Sequence, residues 1–267
     1  MKARFMLNFA RSLTPASSLA YAVNKLRGGK AVLPLQLRSG IRFFLRPNSP
    51  ENSDYGVAYE VFVNEDYRPP AEIDRAAVKL VIDIGGNVGF SALYWLQAFP
   101  HCSVEVFEPH PLHLVQMQKN LALAGERGQG VKVHAVAAGA ASRSATLSSG
   151  GSSSMVSDAA EGAFAIEIAD IFPLLMARTI DVLKLDAEGA EYEILADDRF
   201  GALNIRHLIL EWHTRTDAEA DRNWCEQRLT GMGYRLQPRA ARPTEYTFWA
   251  SYSRSVAAGR DQISPRT

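Results

Sequence analysis

The stretch VIDIGGNVGFS, Val81–Ser91, decides how the chain is read. An apolar run from Val78 to Ile84 stops at Gly85-Gly86, and a helical pattern spans Val88–Phe99. A strand that turns through glycines into a helix is the first half of a βαβ unit. Downstream the alternation continues. Short strands are expected at Val104–Phe107, Val131–Val136, Ile180–Leu185 and Arg206–Trp212. Helices are expected at Pro111–Leu123, Glu191–Leu195 and Ala218–Met232. Tyr234–Gln237 and Glu245–Ala250 read as a closing antiparallel pair. Strands alternating with helices of this length imply an α/β fold on a mostly parallel sheet. Ligands then sit beyond the carboxyl ends of the strands.

Upstream the pattern differs. Residues 3–27 read as helix broken at Pro15, and Leu33–Arg46 as a hairpin turning at Ser39-Gly40. Ser53–Val63 reads as a helix with Val57, Phe62 and Val63 turned inward, and Pro69-Pro70 punctuates the chain. The expected organisation is a basic cap over 1–70, a catalytic domain over 71–253 and a disordered tail over 254–267. No repeat of fixed period occurs. Ser148–Ser154 (SSGGSSS) reads as a flexible loop.

The glycine loop has two acidic companions. Asp83 lies two residues before Gly85, and Glu108 ends the next strand, 19 residues after Gly89. An acid in the second position accepts hydrogen bonds from both ribose hydroxyls of a nucleoside. That spacing alone fits NAD or S-adenosylmethionine. A dinucleotide lays its pyrophosphate on the helix N-terminus. Asp83 would repel a pyrophosphate but suits the ammonium of S-adenosylmethionine. Asn87 stands where the dinucleotide fingerprint wants its second glycine. Both departures favour S-adenosylmethionine over an NAD-dependent oxidoreductase. A cofactor-binding pseudoenzyme acting as an interaction module is the non-enzymatic alternative.

The run LKLDAEGAE, Leu183–Glu191, is unusual because Lys184 falls inside a strand expected to be buried on both faces. A buried lysine needs a partner or a task. Alternation aims Asp186 the same way, and Glu188 follows at the strand end. Glu211 and His213 share one side of the Arg206–Trp212 strand. If the two strands are neighbours, five polar groups converge beside the glycine loop. A structural ion-pair network is one outcome; a proton-accepting site is the other. Glu191 reads as an acid favouring a helix N-terminus. Asp186, Glu188, Glu211 and His213 also have the ligand types for a magnesium-class ion, without a metal-specific spacing.

Four motifs together resemble the FkbM family of methyltransferases: VIDIGGNVGFS, VFEPHP (Val106–Pro111), LKLDAEGAEYEIL (Leu183–Leu195) and LILEWH (Leu208–His213). The resemblance covers about residues 78–250, with a weaker lead-in at Gly56–Asn64 and Tyr67. It implies the class I methyltransferase fold, a Rossmann-like seven-stranded sheet ending in an antiparallel hairpin. It also implies methyl transfer from S-adenosylmethionine to hydroxyl oxygens of glycans or natural products. Carried over, Asp83, Gly85, Gly86, Asn87 and Gly89 form the cofactor loop and Glu108 takes the ribose. The backbone near Ala135–Val136 faces the adenine, and Asp186 touches the cofactor as well. His213 or Asp186 is the preferred base, with Glu188 a further candidate. Lys184 orients a carboxylate or meets developing oxyanion charge. No metal is assigned; magnesium remains the variant.

Composition bounds the partners. Hydrophobic residues make up 47% and charged residues 22%, as in ordinary globular domains. The 29 Lys and Arg balance the 29 Asp and Glu, which argues against a dedicated nucleic-acid binder. The balance hides a polarity. Residues 1–50 hold nine of the cations and none of the acids, leaving 20 cations against 29 acids and a net of −9 beyond them. A basic amphipathic segment of this kind meets solvent, or an anionic acceptor at a membrane surface. Two cysteines, Cys102 and Cys225, suggest free thiols in a reducing compartment. No apolar run is long enough to span a bilayer. The expected location is cytoplasmic, peripheral to the inner membrane face if the basic segment binds there.

Overall fold

The computed structural model describes residues 2–47, 49, 53–147, 156–157, 164–215, 217–241 and 245–252. The loop Ser148–Ser154 and the tail 254–267 lie outside the described residues.

Two helices come first, α1 (Lys2–Ser12) and α2 (Pro15–Leu26), separated at Pro15 as expected. Thr14 caps α2 by accepting from the Ser17 N–H, and Pro15 occupies the first helical turn, where its missing N–H costs nothing. The hairpin β1 (Leu33–Gln36) and β2 (Arg42–Leu45) follows, turning at Gly40, where φ is +99°. The helix expected at Ser53–Val63 divides into α3 (Asp54–Tyr59) and a π-helical turn, Glu60–Asn64, closed by Glu65 in the left-handed region. Of its three expected inward residues, Phe62 is buried, while Val57 and Val63 are partly buried against the core.

The central unit comprises β3 (Leu80–Ile84), α4 (Phe90–Ala98), β4 (Ser103–Phe107), α5 (Pro111–Ala122), α6 (Gly125–Gln129) and β5 (Lys132–His134). Sequence patterning did not anticipate the next part. It is a separate four-stranded sheet of β6 (Ala137–Gly139), β7 (Arg143–Leu147), β8 (Val156–Ser157) and β9 (Phe164–Asp170). Its strands are short, and two border the Ser-rich stretch, so their alternation was masked. Then come α7 (Phe172–Leu175), β10 (Thr179–Leu185), α8 (Glu191–Ala196), β11 (Asn204–His213), α9 (Ala218–Gly231), β12 (Tyr234–Ala241) and β13 (Glu245–Tyr252).

The main sheet has seven strands in the order β12-β13-β11-β10-β3-β4-β5. β11, β10, β3, β4 and β5 run parallel; β13 pairs antiparallel with β11 and β12. This is the class I methyltransferase architecture implied by the motifs. Alternation divides its core into two layers. Val81, Val106, Val182, Ile209 and Trp249 pack on one face, and Ile82, Ile84, Leu183, Leu185 and Leu210 on the other. The first layer also takes in Phe9, Leu13, Phe43 and Leu45, so the N-terminal elements share a core with the sheet. Asp83 and Lys184 are partners across β3 and β10 and fall on that same face. Among the described residues, no helix is long and apolar enough to cross a membrane, and both cysteines are free.

Candidate active site

A cavity of about 540 Å³ opens beyond the carboxyl ends of β3, β4, β10 and β11. That is where an open α/β sheet leaves room for a ligand.

The glycine loop forms its floor. Gly85 sits at φ +83°, and a Cβ there would fall 1.8 Å from the Asp186 carbonyl oxygen. Only glycine lets the β3 and β10 loops approach so closely. Asn87 is left-handed at φ +48°, and its Oδ1 accepts from the Val88 N–H at 2.8 Å. Its own N–H donates to Glu108 Oε2 at 2.8 Å, while the His110 N–H donates to Oε1 at 2.8 Å. Glu108 is thus aimed by two backbone donors, and His113 Nδ1 lies 3.4 Å from Oε1. Gly85, Gly86, Asn87 and Glu108 line the cavity.

The remaining loop residues are placed otherwise. Gly89 lies behind the wall, packed on Met117. Asp83 is fully buried; it accepts from Trp95 Nε1 at 3.0 Å and pairs with Lys184 Nζ at 3.2 Å. Its charge reaches a ligand only through Lys184. Ala135 is exposed and Val136 packs into the second core layer. Neither is among the cavity-lining residues, which include the next two, Ala137 and Ala138.

β10 and β11 are neighbours, so the expected convergence occurs. Lys184 Nζ lies 3.1 Å from Asp186 Oδ2 and donates to the Ile84 and Gly85 carbonyls at 3.1 and 2.8 Å. Burial disfavours the ammonium, but Asp186 and Asp83 outweigh it and hold the lysine pKa above its ordinary range. The Tyr67 hydroxyl lies 3.3 Å from Asp186 Oδ2 and 3.4 Å from Glu211 Oε2. Burial and then Glu211 and Asp186 push the phenol well above its ordinary pKa, so it remains a donor.

Glu188 and Gly189 carry the turn after β10 at φ +51° and +105°. Buried Glu191 holds this turn by accepting from the Ala187 and Gly189 N–H groups at 2.6 and 2.7 Å. That is more than a helix-end charge: one carboxylate organises the loop and also contacts His213. His213 Nδ1 lies 3.4 Å from Glu191 and Nε2 lies 3.4 Å from Glu188. Burial opposes protonation, but Glu191, Asp186 and Glu188 more than offset it and push the pKa up to about 10. At neutral pH His213 is therefore an imidazolium. One ligand-type atom each from Asp186, Glu211 and His213 lies within 4.8 Å of the others, whereas Glu188 stands outside that group.

Several lining residues escaped the sequence reading of the site. Tyr67 had only the weak lead-in and the nearby prolines as signals. His110 and His113 stack at 4.3 Å beside Glu108. Burial and His113 lower the His110 pKa to about 4, and its Nδ1 accepts from the Leu112 N–H at 3.2 Å. Pro111, at the start of α5, could have marked His110 as that cap. Arg143 reaches the wall from β7 and grips Glu193 at 3.0 Å. Arg215 lies two residues past the end of β11, beyond the reach of strand alternation.

Residues 83–236 match the family described as methyltransferase FkbM domain. A crystal structure titled methyltransferase FkbM, from Methylobacillus flagellatus KT, is similar at TM-score 0.50 and 15% identity. The alignment covers 74% of this chain and 53% of that one, so the chain spans about half the length of that structure. The Methanococcus jannaschii fibrillarin pre-rRNA processing protein aligns at TM-score 0.46 and 11% identity, covering 78% of each chain. Precorrin-6y C5,15-methyltransferase from Geobacter metallireducens GS-15 aligns at TM-score 0.43 and 12% identity, covering 71% of this chain and 85% of that one. No curated protein sequence matches the chain.

Proposed function

The chain belongs to the FkbM methyltransferase family, and from that premise we propose that it methylates a hydroxyl oxygen of a glycan or natural product with S-adenosylmethionine as donor. The observation that carries this reading is the charge of the cavity. Glu60, Glu108, Asp186, Glu188, Glu193 and Glu211 line it against Lys184, Arg143, Arg215 and the protonated His213. An acidic, partly buried wall suits a cationic sulfonium and opposes a pyrophosphate. This favours S-adenosylmethionine over the nicotinamide alternative.

The residues fit the cofactor. The absence of a Cβ at Gly85 lets the glycine loop pack on the Asp186 backbone, so that both loops line one cavity. Glu108 faces the cavity as an acceptor for ribose hydroxyls. Asp186 faces the cavity from the Lys184 side. S-adenosylmethionine, when bound, supplies an activated methyl group.

The chain's own residues then orient the acceptor and remove its proton. Fixing the acceptor oxygen in line with the methyl carbon is worth roughly 7–11 kcal/mol. Asp186 takes the hydroxyl proton, with Lys184 Nζ paired to its Oδ2 from behind at 3.1 Å. Tyr67 and His213 hold the Asp186–Glu211 pair and the Glu188 turn in place. Charged at neutral pH, His213 acts as a positioning group rather than the base. Transfer proceeds without a metal in this reading, because Lys184 and Tyr67 already engage Asp186 Oδ2. Exhaustive chelation should leave activity intact; its abolition would favour the magnesium variant.

The decisive experiment compares thermal stabilisation by S-adenosylhomocysteine and by NAD, followed by labelled-methyl transfer to a panel of hydroxylated acceptors. Stabilisation by NAD alone would sink the reading. Binding of S-adenosylhomocysteine with no transfer to any acceptor would favour an interaction module.

The basic N-terminal elements extend the reading to location. Leu7, Leu19 and Leu26 are 50%, 67% and 88% exposed among the cations of α1 and α2. Apolar and basic groups together suit an anionic membrane surface on the cytoplasmic side. α1 stacks Phe5 on Tyr59 of α3, whose neighbours Val57 and Glu60 line the cavity. Co-sedimentation with liposomes should require anionic lipid; equal, negligible recovery with neutral and anionic vesicles would dismiss this contact.

A further inference from the structure

The basic groups along the cavity wall are not equivalent. Lys184 is consumed by Asp83 and Asp186, Arg143 by Glu193, and His213 by Glu188 and Glu191. Arg215 differs: among the described residues no carboxylate pairs with its guanidinium, although the wall around it is acidic. Its position is nevertheless well defined. Its backbone N–H donates to Asp221 Oδ2 at 2.8 Å. Its guanidinium lies 3.8 Å over the Tyr192 ring. Tyr192 is in turn held by a stacked contact with Trp224 and by donating its hydroxyl to the His213 carbonyl at 3.1 Å. A planar cation resting on an aromatic face keeps its N–H edge free for a planar or tetrahedral oxyanion.

We propose that Arg215 binds an anionic group of the methyl acceptor, so that the substrate is a sugar or sugar-like alcohol bearing a carboxylate or phosphate. The inference rests on the O-methyltransferase reading. It follows from the arrangement of charge. The acid-lined interior suits the cationic donor, and the solvent-exposed guanidinium of Arg215 lines the cavity with no carboxylate paired to it among the described residues. An anion on the acceptor would satisfy it and anchor that end at the mouth. The hydroxyl would then extend inward past His213 toward Asp186. Arg215 is a specificity residue in this account and takes no part in proton transfer.

The test uses full-length protein and matched probes: glucose, glucuronic acid and glucose 6-phosphate, with longer neutral and uronic oligosaccharides. Labelled-methyl transfer should be confined to the charged members; the uronate and phosphate arms show which anion is taken. Arg215→Gln should raise KM for the charged acceptor about 10- to 100-fold, the size of a lost charge-assisted contact, with kcat and S-adenosylhomocysteine affinity unchanged. Arg215→Lys, which keeps charge but loses the fork, should recover only part of the loss. Transfer to neutral sugars with a KM indifferent to the substitution would overturn the proposal. So would transfer to neither set. A fall in S-adenosylhomocysteine affinity in Arg215→Gln would assign the arginine to the cofactor's carboxylate instead. Failure of the wild-type protein to bind S-adenosylhomocysteine at all would be distinct, because it removes the parent reading.

Discussion

Two carboxylate networks stand on the same sheet and are built in opposite ways. At β4, one acid is surrounded by bases: Arg178, His134 and Lys132 lie 2.6, 3.1 and 3.4 Å from Glu105. At the ends of β3, β10 and β11 the ratio is reversed. Lys184 pairs with Asp83 and Asp186, His213 lies between Glu188 and Glu191, and Glu211 accepts from Tyr67 and Thr247. Glu105 spends its charge internally and is not among the residues lining the site cavity. The second network keeps surplus negative charge beside a cavity, where a cationic ligand would complete it. Pairing and partial burial are common to both corners; what separates them is that the second lines the cavity.

The greatest effect is expected where the second network is most buried. Lys184→Met leaves Asp83 uncompensated in the core and should cost about 3–5 kcal/mol of stability, read by urea denaturation. A change below about 1 kcal/mol would mean that the corner tolerates loss of its cation, and the contrast between the networks would fail. Asp186→Asn should lower kcat by about 10²–10⁴-fold while the protein stays folded. Single-turnover methyl transfer measures this, and an unaltered rate would remove Asp186 as the base. Glu108→Ala should weaken S-adenosylhomocysteine binding by about 1.5–3 kcal/mol in calorimetry. Unchanged affinity would take Glu108 out of the cofactor site.

The two networks should also fail at opposite ends of the pH scale. The Arg178 hydrogen bond, with His134 and the nearby charges, lowers the Glu105 pKa from 4.5 to about 2. Its contribution is complete above about pH 4.5 and is lost as pH falls toward 2. His213 is raised from 6.5 to about 10, so its contribution is complete below about pH 6.5 and is lost as pH climbs through 10. In His213→Gln the alkaline loss of stability should shrink while the acid limb stays put; identical alkaline limbs would contradict the charged imidazole. The smallest effect belongs to Arg178→Ala. Arg178 is 31% exposed, and its loss should cost no more than about 1 kcal/mol and leave methyl transfer untouched.

Much of this was legible in the chain. Period-two alternation aimed Lys184 and Asp186 the same way and set Glu211 and His213 on one strand side. Glycine at 85 marked the close approach of backbone to a ligand site. The four-stranded sheet was not legible, because strands of two to seven residues around a serine-rich stretch carry too little pattern. Nor was the inward rotation of Asp83. Its alternation was visible, but the indole of Trp95 that takes it up belongs to a helix packed across the sheet face.

The sequence by itself determined the strand–helix alternation, the glycine turn and which acids lie at strand ends. These follow from local backbone sterics and side-chain periodicity, which need only near neighbours. Only the tertiary structure decided which charges cancel. Lys184 turned inward to Asp83, His213 became a cation between glutamates, and Arg215 was left unspent among the described residues. Net charge at a site is a sum over groups far apart in the chain, and it exists only once packing has brought them within a few ångströms and shed the water between them.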